Sequence, residues 1–444
     1  MPPDPTGTPR AASHEPHASL PGADGGHEGG ADRYLSWLES CISSAAADVP
    51  GLIPSAEAAA AVYVRDGQQL GIFGDEGLAS EAYGRSGGLM RLSRLGRTVS
   101  SDWHGVVLCF PRDGRLARDF AAIRNLVKTG RYVVMFVRPS VRARAEAAGV
   151  RPNALVTCHA SAEGGLFRDS GGTWVVPTSP AASIVALWTW LGEFVAACTR
   201  LGRMPVMYQS YDVPGARHRP ETFRGVRFHP ELPVPMAAGH AATAYLRELA
   251  DVVGRFRSAE RQNVRHAADT AAASLLLGRR LYAFPHNHTL LRGRIGGPHD
   301  PGFFVQLNDD WFRARPTLQV DRGDLVFCIG YSRIYAGSDF AGFADAMRAR
   351  GVRLMWSIAS YDRDPARGAA AIRSDEVLID QHWRYGDAVV DCPGYDIRIL
   401  PTSGVMAETV MWCVVSDMVA ELRGRHAGRP RGLLGRLLRR IAPR

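Results

Sequence analysis

Two Pro-Thr-Ser tripeptides, at 177–179 and 401–403, are the first places in this chain where chemistry is suggested. Each follows a short apolar run and opens a long apolar stretch. A hydroxyl at the point where a strand becomes a helix can cap the free N–H groups of the first turn. The same N–H groups, with the helix dipole behind them, can hold an oxyanion such as a phosphate. Thr178, Ser179, Thr402 and Ser403 are therefore candidate ligand-binding residues, with plain capping as the competing reading. His286 and His288 form a His-x-His pair after another apolar run. Imidazoles titrate near neutral pH, which suits ring opening or proton shuttling. With His299 or Asp300 the pair could also hold a metal, but that spacing alone is a weak metal signal and no metal is expected. Moving a proton between adjacent carbons calls for a carboxylate shielded from water, because burial raises its pKa. Glu76, Glu81 and Glu408 are the candidates. Glu408 interrupts an apolar run, so it is either buried with a partner or faces a pocket; Glu193 is the comparable acid in the earlier run. Arg85, Arg292, Arg294 and Arg333 could each pair bidentately with a phosphate, and Ser332 adds a hydroxyl beside Arg333.

Something must position these groups. Short apolar runs at Leu70–Phe73, Gly105–Phe110, Tyr132–Val137, Trp174–Val176, Arg280–Phe284, Asp324–Ile329, Arg353–Ile358 and Ile397–Leu400 read as strands, most of them covered on both faces. Helical segments of about ten residues or more separate them. Alternation of this kind predicts parallel sheets flanked by helices. Ligands in such folds collect at the carboxyl ends of the strands, where both Pro-Thr-Ser turns lie.

The pattern also repeats. PTSPAASIVALWTWLGEFVAACTRLGR (177–203) and PTSGVMAETVMWCVVSDMVAELRGR (401–425) begin alike and each carries a Trp in a long apolar helix. Upstream, QLGIFGDEG (69–77) pairs with RLYAFPHNH (280–288). Two copies of one domain explain this better than chance. The expected boundaries are a disordered tail over 1–30, a first domain over 31–204, a linker over 205–240, a second domain over 241–427, and a basic tail over 428–444.

These residues resemble the sugar isomerase (SIS) family of phosphosugar-binding domains. GDAVVDCPGYDIRILPTSGV (386–405) follows the family's closing segment, and PHNH (285–288) stands where a His-bearing first loop belongs. LASEAYGRSGGL (78–89) follows the downstream half of the first-loop motif, with Glu81 and Arg85 in register. The resemblance covers roughly 31–427, and its second copy is most like bacterial proteins that carry a single such domain. It implies an α/β fold of two tandem αβα sandwiches, each with a five-stranded parallel sheet. It also implies a phosphorylated sugar or related carbohydrate derivative as ligand, held by Thr402, Ser403 and the loop around Ser332. In the isomerase reading, His286 or His288 assists ring opening and Glu408 or Glu81 is the base. The loops FPRDGRL (110–116) and GYSRIYAGSD (330–339) lack the family's Ser-rich pattern, which favours the alternative of a non-catalytic sensor or scaffold. The copies have diverged in complementary ways, one keeping Glu81 and the other the His pair. A composite site between them is thus one expectation.

Composition narrows the field. The 444 residues carry a net charge of +9, but Leu422–Arg444 holds eight Arg and no acid, leaving +1 for the rest. A nucleic-acid-binding face is therefore not expected. RGLLGRLLRRIAPR (431–444) is basic and amphipathic, a shape that could touch anionic lipid or a partner, although a frayed surface helix is the commoner reading. Seven scattered Cys without a Cys-x-x-Cys pair point to buried thiols in a reducing, cytoplasmic setting. Apolar stretches at Ser183–Ala197 and Gly404–Val419 are short for a membrane span and each contains an acid. No dinucleotide or Walker fingerprint follows a strand, so no cofactor is expected. A homo-oligomer is compatible with all of this.

Overall fold

The computed structural model describes residues 29–66, 69–96, 103–169, 171–286, 289–307, 320–330, 339–359 and 372–424. His288, Ser332, Arg333, the tail through residue 28 and the basic tail 428–444 lie outside the described residues. The first half runs α1 (Gly30–Asp66), β1 (Leu70–Gly74), α2 (Glu76–Ala82), β2 (Leu92–Arg94), β3 (Val106–Phe110), α3 (Leu116–Lys128), β4 (Tyr132–Val137), α4 (Pro139–Ala147), β5 (Ala154–Thr157), β6 (Gly165–Arg168), β7 (Trp174–Pro177) and α5 (Ser179–Arg200). A short α6 (Arg219–Thr222) lies in the connection. The second half runs α7 (His240–Ala259), α8 (Arg261–Leu276), β8 (Leu281–Pro285), α9 (Thr289–Arg292), β9 (Phe304–Gln306), β10 (Leu325–Ile329), α10 (Asp339–Ala349), β11 (Arg353–Ile358), β12 (Val377–Asp380), β13 (Ala388–Val390), β14 (Ile399–Pro401) and α11 (Ser403–Gly424).

Each half has a five-stranded sheet, and the two share one topology. The orders are β2-β1-β3-β4-β5 and β9-β8-β10-β11-β12. Every neighbouring pair is parallel. In each half an antiparallel hairpin, β6-β7 or β13-β14, then leads into the long closing helix. The expected strands at Trp174–Val176 and Ile397–Leu400 belong to these hairpins rather than to a parallel sheet. Apolar content marked them as strands but carries no information about direction. The edge strands β2, β5, β9 and β12 were not evident in the sequence: they are short, and β2, β5 and β9 are only partly buried.

Alternation along the central strands divides their side chains between two layers. Leu70, Ile72, Val106, Leu108 and Phe136 face a core that also takes in α1, α5, α7, α8 and α11. Leu281, Ala283, Leu325 and Phe327 face the same core from the second sheet. The opposite faces carry their own apolar clusters, under α3 and α4 in one half and α10 in the other. The helices between the sheets therefore bind the halves together. On α5 alone, Trp188, Trp190 and Phe194 are fully buried, each stabilising by roughly 1.5–3 kcal/mol relative to exposure. By length and composition α5 could cross a membrane, contrary to the sequence expectation, but it is buried in this core. All seven Cys are free and buried.

The closing helices also reach across. Glu193 of α5 accepts the Gly239 N–H at the start of α7 (2.7 Å), and Asp417 of α11 accepts the Ala31 N–H at the start of α1 (2.7 Å). Each carboxylate thus satisfies an orphan donor at the N-terminus of a helix in a different segment. The counterpart of Glu193 is therefore Asp417, not Glu408. The connection lies along the surface of the 87–90 loop: Tyr208 exchanges backbone hydrogen bonds with Gly87 and Gly88 (2.8 Å each). Arg219 there is buried against Asp396 and Tyr395.

Candidate functional site

The two Pro-Thr-Ser turns have the same backbone. Val176 and Leu400, immediately before them, both have φ of 65°. Positive φ in a β-branched or bulky residue is rare and costs on the order of 1–3 kcal/mol. In both cases the other half holds the strained peptide. Val176 N–H donates to the His299 carbonyl (2.7 Å), and Leu400 N–H to the Gly87 carbonyl (2.9 Å). The loop after the first strand of each half is thus bonded to the turn of the other.

In the second half this turn is already filled. Asp387, fully buried, accepts from the Thr402 N–H (3.2 Å) and the Ser403 N–H (2.9 Å) through one oxygen. Its other oxygen meets the Ser403 hydroxyl at 2.6 Å. Burial pushes the Asp387 carboxyl up to about 7, against the pull of nearby Arg85. Thr402 and Ser403 are themselves fully buried. Glu81 lies alongside: a Cβ on Gly404 would collide with its carboxyl group and with Ile184 Cδ1, so a larger residue there would displace both. Glu81 is ion-paired with Arg85 at 2.5 Å. Glu408 is fully buried and accepts from Trp412 Nε1 (2.6 Å). Burial pushes its carboxyl up to about 7, and neighbouring Arg294 opposes the rise. Glu81 and Glu408 thus come together at the junction of the halves, behind the turns rather than in an open pocket.

The first half's turn borders a cleft of about 260 Å³. No side chain caps the first turn of α5. Ser179 and Pro180 line the cleft, with Arg112 and Asp113 after β3, Arg138 after β4 and Asp75 after β1. Those are carboxyl ends of parallel strands, where such sheets leave room for ligands. Arg294 and His299 enter from the second half. Asp119, buried beneath the loop, fixes Arg112 by two side-chain bonds of 3.0 and 2.6 Å. Arg138 donates to Asp113 (3.0 Å) and Arg294 to Asp75 (2.7 Å). These pairs leave donors over. Ser179 Oγ, Arg138 Nε and Nη1, and Arg294 Nε are buried atoms without a hydrogen-bond partner. Unmet buried donors each cost about 1–3 kcal/mol, and the cleft-lining residues carry four of them, which suits a neighbouring acceptor-rich ligand. His299 Nδ1 lies 2.9 Å from the Trp174 carbonyl. A carbonyl can only accept, so Nδ1 carries a proton and Nε2 is the ring nitrogen not engaged by that bond.

The other residues marked in the sequence lie elsewhere. Thr178 is buried and its hydroxyl bonds to Ser161 and the Gly164 carbonyl. His286 follows β8, half-buried, with its N–H on the Ile329 carbonyl (2.8 Å), and it does not line the cleft. Arg292 donates to the Pro285 carbonyl (3.2 Å). Asp300 accepts from Gly296 and Gly302 N–H groups as a turn former. Among the described residues, the one grouping of ligand-type side chains close enough for an ion is Glu260, Asp380 and His382. Its members satisfy one another, with His382 Nε2 3.1 Å from Glu260 Oε1, and it includes none of the expected residues. Sequence reasoning missed Asp75, Arg112, Arg138 and Asp387. Their positions just after strands, or within the closing segment, were the available signal.

No family model and no curated protein matches the chain. Solved structures that resemble it include a tagatose-6-phosphate ketose/aldose isomerase from Escherichia coli, at 10% identity and TM-score 0.46, covering 90% of this chain and 94% of that one. A glucosamine-6-phosphate deaminase from Thermotoga maritima matches at 10% identity and TM-score 0.42, covering 88% and 95%. The C-terminal domain of a glucosamine-fructose-6-phosphate aminotransferase from Francisella tularensis matches at 11% identity and TM-score 0.43, covering 86% and 96%. At TM-scores below 0.5 these likenesses carry no weight for the chemistry, and the α/β fold with two five-stranded parallel sheets stands on its own topology.

Proposed function

We propose that this chain binds a phosphorylated sugar or related carbohydrate derivative in the cleft of its first half, and that its halves are two copies of one SIS-like module, over 31–204 and 241–427. The supporting observation is the set of unpartnered buried donors from Ser179, Arg138 and Arg294 around the uncapped N-terminus of α5. Amide, hydroxyl and guanidinium donors in that arrangement suit a phosphoryl group. The sugar is inferred from the resemblance of the turns and loops in the sequence. Ser179 and Arg294 carry over as ligand-binding residues, while the roles expected of Thr402 and Ser403 pass to the first half's turn.

Two chemistries share this reading. Aldose–ketose isomerisation needs a base beside the sugar carbons, and His299 Nε2 has the lone pair for it when the ring is neutral. A non-catalytic sensor needs none, and the pairing of Asp75 with Arg294 and Asp113 with Arg138 favours it, because both cleft carboxylates are already engaged. A thermal-shift series over sugar phosphates and their unphosphorylated sugars tests the proposal. At least one phosphate ester is expected to raise the melting temperature by several degrees while its parent sugar does not. No shift from any ester at millimolar concentration would overturn the reading. Incubating the best binder and following interconversion by NMR then separates isomerase from sensor.

A further inference from the structure

The second half's turn has the same strained approach, the same hairpin register and the same long helix behind it, yet Ser403 is fully buried. Among the described residues, one position distinguishes what lies over the two turns. In the hairpins, Gly165 pairs with Pro177 and Ala388 with Pro401. The residue before each is therefore equivalent: Gly164 in the first half, Asp387 in the second. Both have positive φ, 79° and 58°, so the backbone carries each to the same place over its turn. At Gly164 no side chain of its own stands there, and the ends of Arg138 and His299 approach instead. Aspartate puts a carboxylate there, on two backbone N–H groups and a serine hydroxyl. That coordination is what a helix N-terminus offers an external oxyanion. Thr402 Oγ1, fully buried beside it, has no partner. Arg85, from the first half, brings a positive charge near Asp387.

We propose that the second half contains a masked oxyanion site at Thr402–Gly404, in which the Asp387 carboxyl group occupies the place of a carboxylate or phosphate from solution. Of the two turns, the first is accordingly the one left to an external oxyanion, while the second is satisfied internally and fixes the halves together. The inference concerns the second half and stands whether or not the first binds a sugar phosphate.

Replacing Asp387 tests it. Asp387→Gly installs the first half's residue, and Asp387→Ala gives a second empty turn should the glycine variant fail to fold. Both are expected to melt lower than wild type and to recover with inorganic phosphate, and with acetate as a carboxylate probe, by at least about 2 °C more than wild type does under the same additions. Asp387→Asn, which still fills the turn, is expected to show no such excess. Wild-type shifts report the first half alone, so only the excess bears on the masked site. Folded Asp387→Gly or Asp387→Ala protein with a phosphate and acetate response equal to wild type would overturn the proposal. So would failure of both variants to fold with no gain in folded yield when refolded in phosphate or acetate.

Discussion

The two Pro-Thr-Ser turns share backbone, register and partner helices, and differ in what lies over them. The first has Gly164 and a cleft whose cross-half arginine, Arg294, keeps one donor atom unpartnered. The second has Asp387 and a buried cluster in which Arg85 is committed to Glu81. A helix N-terminus is thus not by itself a binding site: in the second half the Thr402 and Ser403 amides cap an internal carboxylate, whereas in the first the Thr178 amide is taken by the Gly164 carbonyl (2.9 Å) and Ser179 lines the cleft. The contrast predicts that one substitution should convert the first arrangement into the second. A Cβ at Gly164 would lie 2.3 Å from Arg138 Nη1 and 2.8 Å from His299 Nε2, both ends of movable side chains. Gly164→Asp is strained at a φ of 79°, as Asp387 is at 58°, so it should fold at reduced stability, with its carboxylate occupying the Ser179 turn. Affinity for a sugar phosphate is expected to fall at least about 100-fold, near 2.7 kcal/mol. Calorimetry showing unchanged affinity in the folded variant would break the equivalence of the two positions.

The arginines should separate next. Arg85→Ala strands the buried Glu81 carboxylate and removes the positive charge near Asp387. Breaking a buried pair in this way costs about 3–5 kcal/mol, to be read by denaturant unfolding, with little change in ligand affinity for the protein that remains folded. Arg294→Ala should do the reverse in emphasis. It loses a charge-assisted donor in the cleft, worth about 1.5–3 kcal/mol of affinity, and its effect on stability should be smaller because its partner Asp75 is partly exposed. Equal losses of stability in both variants would dissolve the distinction.

The buried acids add a pH dependence confined to the junction. Glu408, raised from 4.5 to about 7, holds its proton in the folded chain across a range where the unfolded chain has released it. Its contribution is therefore fully present below about 4.5 and declines as pH rises to about 7. Asp387 acts in the same direction. Glu408→Gln keeps an acceptor for Trp412 without a charge to bury. It should flatten the fall in stability between pH 4.5 and 7, measured as the difference from wild type in urea midpoints, and leave the low-pH end unchanged. A parallel offset at every pH would argue against a proton held at Glu408.

Much of the architecture was legible because it is written in local patterns. Apolar runs marked all the central strands, and the repeated Pro-Thr-Ser with its Trp marked the two closing helices. The site was legible in part. Ser179 and Arg294 were recognisable as donors, but the greater promise given to the second turn followed its closer resemblance to a known motif. That motif contains Asp387, and no local pattern tells whether an aspartate in a hairpin points away from a helix or onto its N-terminus. That depends on positive φ at Asp387 and on a neighbour brought by the other half. His299 was similarly ambiguous: the Trp174 carbonyl, far away in sequence, fixes its tautomer.

The smallest expected effects are also the most discriminating, because they use one residue type in two places. Ser179→Ala removes a neutral hydroxyl whose oxygen is buried and unpartnered in the ligand-free chain. With nothing to lose in the folded protein, stability should stay within about 0.5 kcal/mol of wild type. A phosphate ester that uses that hydroxyl would lose about 1 kcal/mol, roughly five-fold in affinity. Ser403→Ala removes a hydroxyl already bonded to Asp387 at 2.6 Å. There the loss of about 1–3 kcal/mol should appear as stability, since a buried carboxylate oxygen is left without that donor, and affinity in the first half should not move. If both serines changed stability alone, the first turn would be a capped helix end like the second, and the cleft beside it would have no oxyanion to hold.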